Sequence, residues 1–188
     1  MENLYFLAIT PPEEISKEII EIQEDIAARF DSRASLKVMP HITLKAPFKF
    51  PMAAHIIVLE WFENLQINQS AFNLELKDYG AFHNKNKPVI FIKPEKNASL
   101  ATLQKQILSE FENAFPGVAI MDLELDFHPH LTIAYRDLKV NLFQEAWREF
   151  QAREFLKIFE VNDFHLLQHD GKKWNIIRTF PLKFFQNN

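Results

Sequence analysis

The sequence contains no cysteine and only three glycines among its 188 residues. The absence of cysteine excludes disulfides, cysteine nucleophiles, iron–sulfur clusters and thiolate zinc sites. An average glycine content of about 7% would correspond to roughly 13 glycines in a chain of this length. Because Gly80, Gly117 and Gly171 are isolated, neither a P-loop nor a dinucleotide-binding fingerprint can be placed.

The chain also has no excess of positive charge. Its 21 Lys and Arg residues are outnumbered by 25 Asp and Glu residues, which gives a formal net charge of −4. This balance excludes a globally basic binder of double-stranded DNA, so contact with nucleic acid must come from a local patch. The apolar run at residues 4–9 is too short for a signal peptide or a membrane span. We therefore expect a cytoplasmic, monomeric protein without membrane contact.

The first half of the chain has the pattern of alternating strands and helices. Strand formers occupy residues 3–9, and Thr10 can cap a helix that has Pro11 at its first position and Glu13 closing a capping box. The alternating segments 39–45 and 72–79 predict further strands on either side of a second helix. One apolar stripe marks the first helix and consists of Ile15, Ile19, Ile22, Ile26 and Phe30.

The second half repeats this order. A strand at 89–92 precedes a helix that Ser99 can cap, and another alternating strand covers 129–133. A fourth helical stripe then leads to a strand at 159–167 and a hairpin partner at 174–182. The sequence therefore predicts a single α+β domain over residues 1–188, built from two β-α-β-α-β lobes with pseudo-twofold symmetry. We expect the lobes to cover about 1–80 and about 88–188 and their sheets to flank a central cleft.

The strongest functional signal is a short motif that occurs in both halves. Residues 40–44 read Pro-His-Ile-Thr-Leu and residues 129–133 read Pro-His-Leu-Thr-Ile. A single His-x-Thr string carries a real risk of chance occurrence, but two copies at corresponding places in a repeat are much stronger evidence. Because side chains alternate along a strand, His41, Thr43 and Lys45 are expected to share one face. The same spacing groups His130, Thr132 and Arg136 and leaves Tyr135 on the opposite face if the strand stays regular.

Two such polar faces that converge across a cleft are suited to acid–base chemistry. Hydrolysis of a phosphodiester needs a base at the attacking oxygen and an acid at the leaving oxygen. The imidazoles of His41 and His130 can perform both tasks near neutral pH. The hydroxyls of Thr43 and Thr132 can donate to phosphate oxygens, and nearby cations can neutralise the charge. This scheme requires neither a metal nor a cofactor.

These paired motifs resemble those of the two-histidine (2H) phosphoesterase superfamily, which includes the RNA 2',3'-cyclic phosphodiesterases and 2'-5' RNA ligases. The resemblance covers nearly the whole chain and implies metal-independent chemistry on RNA 3' ends or small nucleotides. It implies that His41 and His130 form the acid–base pair and that Thr43 and Thr132 bind phosphate. Many members carry a basic residue five positions after the second histidine, where this chain has Tyr135 followed by Arg136.

Several alternatives stay open at this stage. Lys45, Tyr135 and Arg136 are candidates for binding substrate, although solvated charges at strand ends explain the two cations equally well. A non-catalytic module that binds nucleotides or RNA ends would keep the same motifs. A metal-dependent hydrolase could use His41, His128 and His130. Further candidates for contact with a nucleic acid are Phe48 and Phe82, by stacking on a base, and the lysines Lys85, Lys87, Lys93 and Lys96.

Overall fold

The computed structural model of the protein describes residues 1–183. Over this range it contains eight strands, five α-helices and two short 3-10 turns, at Ala34–Lys37 and Met52–Ala54. The strands and helices occur in the order β1 (Glu2–Ile9), α1 (Glu13–Phe30), β2 (Ile42–Pro51), α2 (His55–Glu63), β3 (Phe72–Phe82), β4 (Val89–Pro94), α3 (Ala98–Ala114), α4 (Asp122–Leu125), β5 (Leu131–Ala134), α5 (Val140–Phe150), β6 (Leu156–Val161), β7 (Asp163–His169) and β8 (Trp174–Pro181).

All eight strands form one sheet in the order β6-β3-β4-β5-β2-β1-β7-β8, and neighbouring strands are antiparallel throughout. This order is symmetric about the centre of the sheet, between β5 and β2. Counted outward from the centre, β5 corresponds to β2, β4 to β1, β3 to β7 and β6 to β8. The predicted α+β class with a duplicated plan is therefore confirmed. The two halves of the chain also exchange strands in this sheet. Strand β3 comes from the first half but pairs with β4 and β6 of the second half, whereas β7 and β8 of the second half continue the sheet beyond β1 of the first half.

The two halves of the sheet meet at β2 and β5, whose one register pair is Ile42 with Leu131. Each of these residues directly follows a motif histidine. Continuing the antiparallel register by one residue in each direction places His41 across from Thr132 and Thr43 across from His130. The centre of the sheet thus brings the two motifs together.

The same irregularity follows both motifs. Between the pairs Ala8–Thr43 and Leu7–Lys45, one step along β1 opposes two steps along β2. A matching shift lies between the pairs Phe91–Thr132 and Ile90–Ala134 of β4 and β5. An extra residue of this kind is a β-bulge and changes which face the following side chain occupies.

Three local predictions differ from the structure. Helix α1 begins at Glu13, with Pro12 at the N-cap and no side-chain cap, and the hydroxyl of Thr10 instead lies 3.0 Å from Nε2 of His165. Asn97, not Ser99, caps α3, because its Oδ1 accepts from the Leu100 amide at 3.0 Å. The strand predicted at 159–167 is divided into β6 and β7 around Asn162, and the two strands lie at different places in the sheet.

The buried residues define two faces of β1. Tyr5, Leu7 and Ile9 belong to the main hydrophobic core, to which the strands β2 to β7 also contribute buried residues. Phe6 and Ala8 alternate with them and form a separate small cluster with Leu167. Within residues 1–183, none of the helices is long and apolar enough to cross a membrane.

Candidate active site

The four motif residues His41, Thr43, His130 and Thr132 line one cavity of about 220 Å³. Tyr135 also lines it, as does Arg136 from the turn after β5. The structure thus brings together six of the seven residues that the sequence proposed for the site. The remaining lining residues are Phe6, Gln23, Ser35, Val38, Met39, Pro47, Val89 and Trp174.

Both imidazoles are held by the same contact. Nδ1 of His41 lies 2.8 Å from the carbonyl oxygen of Met39, and Nδ1 of His130 lies 2.7 Å from the carbonyl oxygen of His128. A carbonyl oxygen can only accept, so each Nδ1 carries the hydrogen and donates it. Each Nε2 is therefore the nitrogen that exchanges protons: it is a base when the ring is neutral and an acid when the ring is protonated.

Burial sets the electrostatics of the two rings. Desolvation lowers the pKa of His41, and the charge of His130 acts in the same direction, against the opposing hydrogen bond to Met39. Desolvation likewise lowers the pKa of His130 against the opposing hydrogen bond to the His128 carbonyl, and the charge of His128 adds to the lowering. Both rings therefore favour the neutral form in the free protein, and a bound phosphate anion would shift either ring back towards the protonated form.

Aromatic side chains pack against each imidazole. The ring centroid of Phe6 lies 5.0 Å from that of His41, and the rings of Phe82 and Phe91 lie 5.1 and 5.5 Å from that of His130. These contacts account for part of the desolvation that lowers the two pKa values. Phe82, considered as a stacking residue from the sequence, thus contacts the second histidine.

Lys45 does not reach the cavity, and its predicted place beside His41 and Thr43 is wrong. Its side chain is 2% exposed and its Nζ lies 2.8 Å from Oε1 of Glu124. The ammonium also lies 4.4 Å from the ring centroid of Phe111, in the main core. The cause is the β-bulge after Thr43, because the extra residue in β2 turns Lys45 to the side that Leu7 occupies.

Tyr135 and Arg136 reach the cavity together because the strand does not stay regular. Strand β5 ends at Ala134, and Arg136 has a φ of 56°, a left-handed conformation that is uncommon for a non-glycine residue. The opposite face was expected for Tyr135 only in a regular strand, and this condition is not met. The guanidinium of Arg136 lies 5.0 Å from the centroid of the Tyr135 ring, so the two side chains form one wall. Backbone strain of this kind is typical of functional sites.

The other candidates lie outside the cavity. Phe48 is buried in the main core, 4.8 Å from Phe111 between ring centroids, and is not available to stack on a base. His128 lines a neighbouring cavity and bonds through Nδ1 to the carbonyl oxygen of Asp126. Over residues 1–183, no group of three or more His, Asp or Glu side chains is arranged to hold a metal ion. None of Lys85, Lys87, Lys93 and Lys96 lines the cavity of the paired histidines.

Sequence reasoning missed Gln23, Ser35 and Trp174. Gln23 belongs to α1, where its spacing from Ile19 and Ile26 indicates a partly buried side, and its Nε2 donates to the carbonyl oxygen of Thr132 at 3.1 Å. Ser35 lies in the first 3-10 turn, and Trp174 begins β8. Of these three residues, only Gln23 has a sequence signal for a role in the site, because it is a polar residue on the apolar side of a helix.

Comparison with known proteins agrees with this geometry. A family model described as the 2'-5' RNA ligase superfamily matches residues 11–173. The chain belongs to the 2'-5' RNA ligase superfamily. A Bacillus cytotoxicus protein provisionally named a phosphoesterase is 30% identical over 168 residues, which cover 89% of this chain and 92% of that protein. A Bacillus pumilus protein with the same provisional name is 26% identical over the same shares. The resemblance to the 2H phosphoesterases is thereby confirmed, and the chain is placed among the phosphoesterases.

Solved structures show the same fold at lower sequence identity. Escherichia coli LigT complexed with 3'-AMP has a TM-score of 0.69 at 19% identity, with 97% of this chain and 99% of that chain covered. The protein TT0787 of Thermus thermophilus has a TM-score of 0.67 at 19% identity, with 96% of this chain and 98% of that chain covered. At this identity the likeness establishes the fold alone.

Proposed function

We propose that the protein is a metal-independent phosphodiesterase that opens 2',3'-cyclic phosphates at RNA 3' ends or in small cyclic nucleotides. The observation that carries this proposal is the symmetric pair of imidazoles in one cavity. Each has its Nδ1 bonded to a backbone carbonyl and its Nε2 left for proton transfer. The structures of LigT with 3'-AMP and with phosphate support a ligand of this class.

The reaction follows from the two rings and the two hydroxyls. Nε2 of one neutral imidazole accepts a proton from a water molecule as its oxygen attacks phosphorus. The bond from phosphorus to one ribose oxygen breaks, and the second imidazole, in its protonated form, donates its Nε2 proton to that oxygen. The products are a phosphomonoester and a free ribose hydroxyl, and a proton exchange with solvent restores both rings.

The threonines and Arg136 stabilise the charge that develops on phosphorus. Thr43 and Thr132 line the same cavity as the two histidines, so each hydroxyl can donate to a non-bridging phosphate oxygen. Hydrogen bonds of this kind to a charged group are worth about 1.5 to 3 kcal/mol each. Arg136 lines the same cavity and supplies a positive charge next to these oxygens.

The test is the turnover of 2',3'-cyclic AMP by purified protein in excess chelator, with product separated by chromatography. We expect a phosphomonoester to accumulate without added metal, since the two imidazoles supply both proton transfers. Activity that disappears with chelator and returns with zinc or manganese would contradict the mechanism. Binding of the nucleotide without turnover would favour the non-catalytic alternative. The cytoplasmic location and the monomeric state stay predictions.

A further inference from the structure

Gln23 reaches the cavity of the paired histidines from helix α1. The residue is 2% exposed, and it belongs to the side of the helix that is otherwise apolar. The other buried residues of α1 are Ile19, Ile26, Ala27 and Phe30. A buried amide costs free energy unless its polar atoms are hydrogen-bonded. Both polar atoms of the Gln23 amide therefore need a partner, either in the protein or in a ligand.

The nitrogen of the Gln23 amide has its partner in the protein. Nε2 donates to the carbonyl oxygen of Thr132 at 3.1 Å. Because a carbonyl oxygen can only accept, the nitrogen faces Thr132 and Oε1 points away from that carbonyl. Thr132 also lines the cavity and carries one of the two hydroxyls proposed to bind phosphate. The bond thus fixes the amide beside the place where the phosphate is expected.

The oxygen of the same amide has no partner in the protein. Within residues 1–183, the buried side-chain polar atoms without a hydrogen bond are Oε1 of Gln23 and Oγ of Ser35. Both residues line the cavity of the paired histidines. Buried polar side chains elsewhere are bonded, as Ser32 is to Asp137 at 2.9 Å. Since an unmatched buried acceptor is costly, Oε1 indicates a donor that enters with the reactants.

The proposed hydrolysis offers few donors near phosphorus. The oxygens of a cyclic phosphate diester carry no hydrogen and can only accept. The proton of the acidic imidazole is used at the leaving oxygen. The attacking water has two O–H groups, and one of its protons passes to the base. Its second O–H group is therefore the donor that suits Oε1 of Gln23, and this bond would also orient the water oxygen towards phosphorus.

We infer that Gln23 binds the attacking water and makes the site selective for water over an alcohol as the nucleophile. One O–H group of the water donates to Nε2 of the basic imidazole, and the other donates to Oε1 of Gln23. As the water oxygen bonds to phosphorus, the first proton moves to Nε2, the bond from phosphorus to one ribose oxygen breaks, and the acidic imidazole protonates that oxygen. The second hydrogen stays on the new P–OH group. This inference rests on the proposed function, because it adds a residue to the same reaction.

Selectivity follows from the number of hydrogens on the nucleophile. An alcohol has a single O–H group, which the base requires. With an alcohol in place of water, Oε1 of Gln23 would face a carbon group and would stay without a donor. A site that leaves a buried polar atom unpaired discriminates against the ligand that fails to pair it. We therefore expect hydrolysis to be favoured over transfer of the phosphoryl group to a small alcohol.

The experiment measures two products in one reaction. The protein is incubated with 2',3'-cyclic AMP in buffer that contains methanol, and chromatography separates the phosphomonoester from the methyl phosphodiester. The test variants are Gln23→Met and Gln23→Glu. Both lose the amide N–H group that bonds Thr132, but a carboxyl group keeps an acceptor oxygen whether or not it is protonated.

Gln104→Met is the matched control. Gln104 is also 2% exposed, and its Nε2 donates to the carbonyl oxygen of Glu124 at 2.8 Å. It does not line the cavity of the paired histidines. The control therefore removes an equally buried amide and a similar bond at a distance from the reaction.

We expect Gln23→Met to lower kcat for hydrolysis by about three- to tenfold, the effect of one lost hydrogen bond, with little change in KM. The ratio of methyl diester to monoester should rise by a similar factor, because methanol never used Oε1. Gln23→Glu and Gln104→Met should keep the wild-type ratio. The ratio does not depend on the folded fraction, since both products come from the same molecules.

Two results would overturn the inference. If Gln23→Met lowers both products equally, Gln23 only supports β5 or holds a water that does not react. If the ratio rises in Gln23→Glu as it does in Gln23→Met, the effect comes from the lost bond to Thr132 and not from the acceptor. Failure of the proposed function is a different result, because the wild-type protein would then form neither product, and the inference would fall with it.

Discussion

The two halves of the molecule use one motif in two different surroundings. In both halves the histidine bonds through Nδ1 to the carbonyl two residues earlier, and a β-bulge follows the threonine. Two residues after Thr43 stands Lys45, buried against Glu124, whereas two residues after Thr132 stands Ala134, also buried. The first half therefore uses its cation inside the core, and the second half places Arg136 at the cavity.

This difference separates what the chemistry needs from what each half needs for stability. The histidine, its backbone contact, the threonine and the bulge are common to both, so they are the parts on which the proposed acid–base catalysis depends. Beyond the bulge the strands diverge, since β2 continues to Pro51 while β5 ends at Ala134. A cation near the motif is thus not a shared feature, and its role has to be assigned separately in each half.

The largest effect is expected from breaking the pair itself. His41→Gln and His130→Gln should each lower kcat for a 2',3'-cyclic phosphate by about 10² to 10⁴, the usual loss for a general acid or base. His83→Gln is the matched control, because His83 packs against Phe143 and Trp147 outside the cavity and should leave kcat unchanged. If either motif variant keeps wild-type turnover, the two halves do not act as a pair.

The second comparison concerns Lys45, which the structure makes a stabilising residue. Lys45→Met should lower the free energy of unfolding by about 3 to 5 kcal/mol, because it leaves the buried carboxylate of Glu124 without its ion-pair partner. Lys49→Met, at an exposed position of the same strand, should change it by no more than about 1 kcal/mol. Urea unfolding measures both values.

The activity of the folded fraction also tests whether Lys45 stabilises the fold without acting in the cavity. We expect kcat per folded molecule of Lys45→Met to match that of the wild type under conditions where the variant is folded. A fully stable variant with a large loss of kcat would instead return Lys45 to the catalytic cavity and would contradict the register of β1 and β2.

The smallest effect is expected in the pH dependence. Burial lowers the pKa of both histidines from 6.5, so kcat/KM, which reports the free enzyme, should peak below that value. The rate should fall at lower pH as the base becomes protonated and at higher pH as the acid loses its proton. Bound phosphate raises the pKa of the acid, so the kcat profile should lie at higher pH than the kcat/KM profile.

The residual activity of the two glutamine variants assigns the roles that symmetry hides. The variant that lacks the base should lose the acidic limb of its profile, and the variant that lacks the acid should lose the alkaline limb. The limbs of the wild-type profile belong to the interacting pair and not to single residues. A rate that rises steadily beyond about pH 9 would indicate hydroxide or metal-bound water as the nucleophile.

Local sequence patterns were sufficient for most of the elements and for the motif. The isoleucine spacing predicted α1, and the alternation around His41 and His130 predicted two strands with aliphatic residues towards the core. Ile42, Leu131 and Ile133 are indeed fully buried. These predictions succeed because side-chain period is a local property of helices and strands.

The remaining features depend on contacts that are distant in sequence. No residue type near Thr43 indicates the bulge that redirects Lys45, and the turn at Arg136 depends on a left-handed conformation that arginine rarely adopts. Trp174 joins the site from β8, and Gln23 joins it from α1 through a bond to Thr132, 109 residues further along the chain. The exchange of β3 and β7 likewise follows from pairing partners and not from local pattern.

That exchange has a consequence for how the protein is made. Strand β1 is synthesised before the other strands, but it pairs on one side with β7, where Tyr5 faces Gln168. Sheets with such distant partners fold slowly, because a long loop must close before the contact forms. A nascent chain that ends before β7 would carry both histidines but would lack Trp174 and the outer neighbours of β1. The cavity of the paired histidines, with Trp174 in its lining, is therefore complete only when the hairpin of β7 and β8 is in place.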